Sequence, residues 1–178
     1  MLLTLFSVIF LSLSPLLSST LKDPEGQPFS SEKFCTPQTA GEDLAVVYAD
    51  PRRMNDEFKT VLEQFSRTPK SSLKVKLVAI NCDDVNDQRK FVKKNGALKG
   101  TCTLLCDISR KFMDGVKCRT PGRLASSLLI METGSGKVLK VWYENDWDTI
   151  TTKDMIMEEV RNYRANPVSY IQSQIGIR

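Results

Sequence analysis

Cys35, Cys82, Cys102, Cys106 and Cys118 are the side chains of this 178-residue chain best suited to chemistry. A cysteine reacts as its thiolate, which forms where a helix N-terminus or a nearby cation lowers the thiol pKa. No two of the five have the C-x-x-C spacing of dithiol oxidoreductases or zinc ribbons; Cys102 and Cys106 are C-x-x-x-C. Histidine is absent, which removes Cys-His and Ser-His-Asp catalysis and counts against a catalytic zinc site. The loop from Asp50 through Pro51, Arg52, Arg53, Met54, Asn55, Asp56 and Glu57 to Phe58 follows an apolar strand and opens an amphipathic helix. A helix dipole would activate a nucleophile there, yet the loop holds no cysteine, serine or threonine. No cofactor or metal is implied.

The remaining candidates carry two readings each. Cys82 closes a second strand expected beside the Pro51–Asn55 loop, where nearby Arg52 or Arg53 would favour a thiolate; it is otherwise a buried or disulfide-bonded cysteine. Asp83 and Asp84 could serve a metal or acid–base role, or cap the helix that follows. Arg52 and Arg53 could hold an anion at a helix N-terminus, or stand in solvent. Cys102, Cys106, Cys118 and Cys35 are disulfide candidates for an oxidising compartment, up to two bridges with one thiol left over and no connectivity fixed. The run from Trp142 to Trp147 could be a contact surface, with either Trp142 or Tyr143 expected in the core because the two alternate.

Hydrophobic spacing supplies the elements that position these groups. Leu44–Ala49 is a continuous apolar run, as a buried strand requires. Met54, Phe58, Val61, Leu62 and Phe65 predict a helix to about Arg67. Ser71 and Ser72 break that pattern, and Leu73 to Ile80 give a second strand. A helix follows from Asp83 or Asp84 to about Lys94, closed by Asn95-Gly96. Ser127–Met131 and the alternating Val138, Leu139, Val141 and Tyr143 flank a Gly134-Ser135-Gly136 turn, which predicts an antiparallel hairpin. A helix with Thr151 or Thr152 as its cap buries Ile156, Val160 and Tyr163. Pro167 then ends or restarts it, with Val168, Tyr170 and Ile171 packing a last short helix. A βαβ half must cross over right-handedly into a parallel pair. Followed by a β-hairpin and a C-terminal helix, it makes an α/β fold in the thioredoxin order, a central mixed sheet with flanking helices.

Composition bounds the rest. The length suits one domain with a real core. A formal charge of +4, with basic residues scattered among acidic ones, gives no basic stripe for nucleic acid. Residues 1–20 hold no charged side chain, and Leu2 to Leu13 are apolar apart from Thr4, Ser7 and Ser12, with Pro15 and then Ser18, Ser19 and Thr20 following. That pattern predicts a signal peptide cut near Thr20–Leu21. The apolar run is shorter than the roughly 18–20 residues of a membrane span. The expectation is a secreted or lumenal chain (periplasmic if bacterial), with residues 21–178 as a single domain bearing a short C-terminal helical extension.

Taken in order, these segments resemble the peroxiredoxins of the AhpC/TSA type, above all the monomeric bacterioferritin-comigratory kind. Leu21-Lys22-Asp23-Pro24-Glu25-Gly26 is similar to that family's opening hairpin, and Leu44 to Pro51 to its strand ending in Tyr-Pro. Val78 to Asp83, with Phe91-Val92-Lys93-Lys94-Asn95-Gly96, is similar to its Ser-x-Asp and Phe-x-x-Lys-x-Gly segment. Leu104-Leu105-Cys106-Asp107 and Gly136 to Trp142 match its Leu-Leu-Ser-Asp and its glycine-turn strand. The resemblance implies a P-x-x-x-T-x-x-C motif in which a threonine and an arginine stabilise a peroxide-reducing thiolate. Counted from Pro51, the threonine position is Asn55 and the cysteine position is Phe58. The arginine position is Ala125, with Arg123 two residues back on the same face of an extended segment. A more distant resemblance is to the periplasmic YtfJ-type thioredoxin-like family, which lacks C-x-x-C and has Asn-x-Asp-Asp where this chain has Asn81-Cys82-Asp83-Asp84. A peroxidase without its thiolate has no attacking group. The expectation is therefore a thioredoxin-fold binding or structural module with an unknown protein partner and no peroxidase activity. The alternative is a thiol oxidoreductase or antioxidant enzyme using a displaced Cys82 or the Cys102/Cys106 pair, with Cys82 and Arg123 as catalytic candidates.

Overall fold

The computed structural model describes residues 21–29 and 42–174; the expected leader and Cys35 lie outside them. Strand β1 (Leu44–Asp50) is buried at every position, and its alternate side chains feed two cores. Leu44, Val46 and Tyr48 join one cluster, Ala45, Val47 and Ala49 the other. A strand covered on both faces reads as an unbroken apolar run, which is why the sequence shows no alternation there. Helix α1 (Asp56–Arg67) follows, then a single turn α2 (Lys70–Leu73), strand β2 (Val75–Asn81) and helix α3 (Val85–Lys94). The serines at 71 and 72 thus lie inside a short helical turn. It ends at Lys74 in the left-handed region (φ 48°).

After a 3-10 turn at Gly96–Leu98 come strand β3 (Thr103–Cys106), the short helix α4 (Lys111–Gly115) and a two-residue strand pair, β4 (Arg119–Thr120) and β5 (Arg123–Leu124). The hairpin is β6 (Ser127–Glu132) and β7 (Val138–Tyr143); helices α5 (Thr152–Ala165) and α6 (Pro167–Gln174) close the chain. The five-stranded sheet runs β3-β2-β1-β6-β7, with β1, β2 and β3 parallel and β6 and β7 antiparallel to their neighbours. The βαβ half and the returning hairpin predicted from sequence are both present.

One face of the sheet is covered by side chains of α1, α3, α5 and α6, the other by Leu21, α4 and the segment around Val116 and Cys118. Residues 21–29 bend back on themselves at Lys22 and Pro28, and Lys22 bridges to Cys106 beside β3. Two expectations, on Val168 and on Thr151, are corrected. Val168 is 67% exposed, because Tyr170 is the residue α6 turns toward the core. Of the alternating pair, Trp142 packs against the core and Tyr143 does not; both stay partly buried because β7 is the last strand of the sheet. The Thr151 side chain makes no capping hydrogen bond to α5.

Candidate functional site

The C-terminal ends of β1, β2 and β3 gather the residues singled out from sequence. Parallel register sets Asp50 beside Asn81 and Asn81 beside Cys106. The Pro51–Asn55 loop passes next to them, fixed by a hydrogen bond from the Met54 amide to Asp83 Oδ2 at 2.8 Å. Asn55 is the α1 cap, its Oδ1 accepting from the Phe58 amide at 2.9 Å. Asp84 caps α3 by accepting from the Asn86 and Asp87 amides at 2.7 and 2.9 Å, which hold its carboxyl below the usual range. The capping reading thus accounts for Asp84, whereas Asp83 pins the Pro51–Asn55 loop.

Phe58, at the position where the resemblance implies a nucleophile, is fully buried. Its ring packs on Tyr48 and Phe91 at centroid distances of 5.4 and 6.0 Å. Beside it lies a charge network the sequence did not reveal. Arg52 donates from Nε and Nη2 to the two oxygens of Asp50 (2.9 and 3.1 Å), from Nη2 to Glu57 (2.9 Å) and from Nη1 to Glu144 (3.0 Å). Tyr48 Oη donates to Asp50 Oδ2 at 3.0 Å, and Ser126 Oγ to Glu57 at 3.3 Å. Asp50 is wholly buried. Such a charge persists only when paired and hydrogen-bonded, and Arg52 supplies the pair. Its hydrogen bond to Asp50 holds the guanidinium charged more firmly than usual. Register explains the gathering: Ala49 pairs with Ser127 and Ser127 with Tyr143, so Asp50, Ser126 and Glu144 line up one residue further on. A sequence signal existed in the acidic residues closing both β1 and β7.

The described thiols are placed for packing. Cys82, Cys102, Cys106 and Cys118 are all unbonded, which corrects the expected bridges among Cys102, Cys106 and Cys118. Cys102 and Cys106 sit along one extended segment, where four residues span about 13 Å, well beyond disulfide reach. Cys118 instead faces Ser127 Oγ, at 2.9 Å. Burial pushes all four thiols up to about 12. Cys82 does lie beside the Pro51 loop, in a space of about 260 Å³ it shares with Arg52, Arg53 and Arg110. Arg110 and Arg119 pull its thiol down, but burial, together with Asp107 and Asp50, outweighs them. Arg123 does not reach this loop's inner side. It is exposed on β5 and lines an adjoining cleft with Pro51, Arg110, Arg119 and Leu124, while Ala125 is buried.

Among the described residues, no group of three or more cysteine, aspartate or glutamate side chains is arranged to hold a metal ion. No described helix is long and apolar enough to cross a membrane.

Comparison with solved structures identifies the architecture. The fold is thioredoxin-like, and the solved structures it matches are peroxiredoxins. The chain superposes on the bacterioferritin comigratory protein of Xanthomonas campestris, described for its alkyl peroxide reduction activity. The TM-score is 0.69 at 13% identity, covering 87% of this chain and 98% of that one. Peroxidoxin BcpB of Mycobacterium tuberculosis matches with a TM-score of 0.61 at 17% identity, over 82% of this chain and 95% of its own. Peroxiredoxin Q of Xylella fastidiosa matches with a TM-score of 0.67 at 12% identity, over 84% and 91%. No protein-family model matches the chain, and no curated protein matches it by sequence.

Proposed function

We propose that this peroxiredoxin-like chain is an exported, non-peroxidatic binding module that acts through a protein partner. The observation that carries the reading is Phe58, buried between Tyr48 and Phe91 where the fold's strand-loop-helix unit would present an activated sulfur. Two neighbours support it. Asn55 spends its side chain on capping α1, and the one half-buried guanidinium at the loop, Arg52, is held by three carboxylates. A thiolate placed there would meet a net negative surrounding, which raises a thiol pKa. Export rests on the apolar, uncharged stretch of residues 1–20 and agrees with buried thiols. A cysteine held protonated exchanges slowly even in an oxidising compartment.

A displaced thiol enzyme is the second reading, favoured only by Arg110 and Arg119 acting on Cys82. One assay separates the two. The full chain is mixed with hydrogen peroxide or an organic hydroperoxide and dithiothreitol, and peroxide loss is followed. Loss at the rate of reductant alone is the expected result; faster loss that Cys82→Ser abolishes overturns the proposal. The mass of the exported chain, with and without reduction, locates the cut and counts any bridges.

A further inference from the structure

We propose that the arginine-lined cleft beside Pro51 is the partner-binding site, and that it takes an extended acidic peptide carrying an apolar side chain between its carboxylates. This rests on the binding-module reading above and supplies its surface and the chemistry of its partner. The cleft measures about 760 Å³, room for several peptide residues and far more than a lone oxyanion fills. Its three guanidiniums come from separate elements. Arg110 stands in the turn after β3, held in the left-handed region at φ 62°; Arg119 comes from β4 and Arg123 from β5. The cleft contains one carboxylate, Asp114, which lies 3.8 Å from Arg119. Among the described residues Arg110 and Arg123 have no carboxylate partner, in contrast to Arg52, which has three.

Arginine forks match carboxylates in a two-pronged geometry, so the unneutralised pair calls for anionic groups. The remaining lining excludes a simple ion as the preferred occupant. Pro51, Pro121 and Leu124 form an apolar strip, and Leu124 is 52% exposed although it is a large hydrophobic residue. Leu124 sits opposite Arg119 in the β4–β5 pair, so apolar and cationic groups adjoin on one ribbon. That two-stranded ribbon is a sheet of its own, leaving outer backbone groups to which an extended peptide can add. Charge, an apolar strip and an open strand edge are together what such a peptide offers in return.

The test uses the full chain and a fluorescein-labelled peptide of alternating glutamate and leucine, read by anisotropy. A control peptide has glutamine for glutamate, and inorganic phosphate serves as competitor. Expected are saturable binding that weakens with salt, no binding of the glutamine peptide, and a loss of about tenfold or more in R110E/R123E. L124S is expected to weaken binding several-fold with the salt dependence unchanged. Arg110 and Arg123 are exposed, so circular dichroism should find the double variant folded. Absence of saturable binding, unchanged affinity in R110E/R123E, or full displacement by phosphate (an adventitious anion only) overturns the site. Peroxide loss is followed on the same preparation. No peptide binding with a silent peroxide assay defeats this site alone, whereas intact peptide binding with Cys82-dependent peroxide loss defeats the non-peroxidatic reading alone.

Discussion

Phe58 is the third residue of α1, with an aromatic ring on either side, and this decides what Phe58→Cys would do. The thiol would be sealed from solvent beside Asp50, Glu57 and Glu144, whose charges oppose ionisation. F58C is therefore expected to consume no peroxide above background, and to lose about 3 kcal/mol or more of stability through the cavity it leaves; urea unfolding measures the second effect. Arg52 is the cation that makes buried Asp50 tolerable. Arg52→Ala strands that carboxylate and is expected to cost about 2 kcal/mol or more, below the fully buried case because 27% of the Arg52 side chain meets solvent. Arg52→Lys should recover little of this, since one ammonium cannot bridge three carboxylates with the same fork. Equal urea midpoints for wild type and Arg52→Ala would defeat this account. That the loop from Asp50 to Phe58 holds no cysteine, serine or threonine was legible in the sequence because it depends on residue identity alone. The Arg52 network was not, because Glu144 lies 92 positions away from Arg52 and only β6–β7 register brings it near.

The elements whose sequence signals were local are the ones the sequence revealed. Helix α3 declared its start by Asp84 and its end by Asn95, and the β6–β7 hairpin by its glycine turn. Strand β3 and the β4–β5 ribbon gave no such signal, being too short for periodicity to register, and the arginine cleft lined by the ribbon stayed hidden with it. Helix α1 depends on its cap, so Asn55→Ala should cost about 1 kcal/mol and expose the Phe58 amide to faster hydrogen exchange. An unchanged exchange rate there would show that the cap is idle. Arg164 ties α5 to the opposite end of the sheet through Asp43 at 2.6 Å and the Leu73 and Lys74 carbonyls. The isolated arginine near the end of α5 gave no hint of that bond, for its partners precede it by about 90 residues or more.

At the scale of the whole molecule, the buried and half-buried thiols set a pH dependence. Cys82, Cys102, Cys106 and Cys118 rise from an ordinary 9.0 to about 12 on folding. A raised pKa means the folded chain keeps protons that the unfolded chain releases, so this stabilisation is complete below about pH 9 and is lost as pH climbs toward 12. Tyr48, Tyr163 and Tyr170 are displaced upward as well, chiefly by burial, and act with the same sign at the upper end of that window. Under reducing conditions the urea midpoint should fall steadily above pH 9, and Cys118→Ala should flatten part of that fall; a midpoint constant to pH 11 would contradict it. The opening segment has its own consequence. Lys22 donates to and accepts from Cys106 at 3.0 and 2.8 Å, so residues 21–29 form a guard rail along the outer rim of β3. A chain clipped just before Glu42 would bare that rim, and bare rims recruit strands from other molecules. Clipping should therefore make the chain cluster with time, visible as rising light scattering, and loosen the core that Leu21 covers.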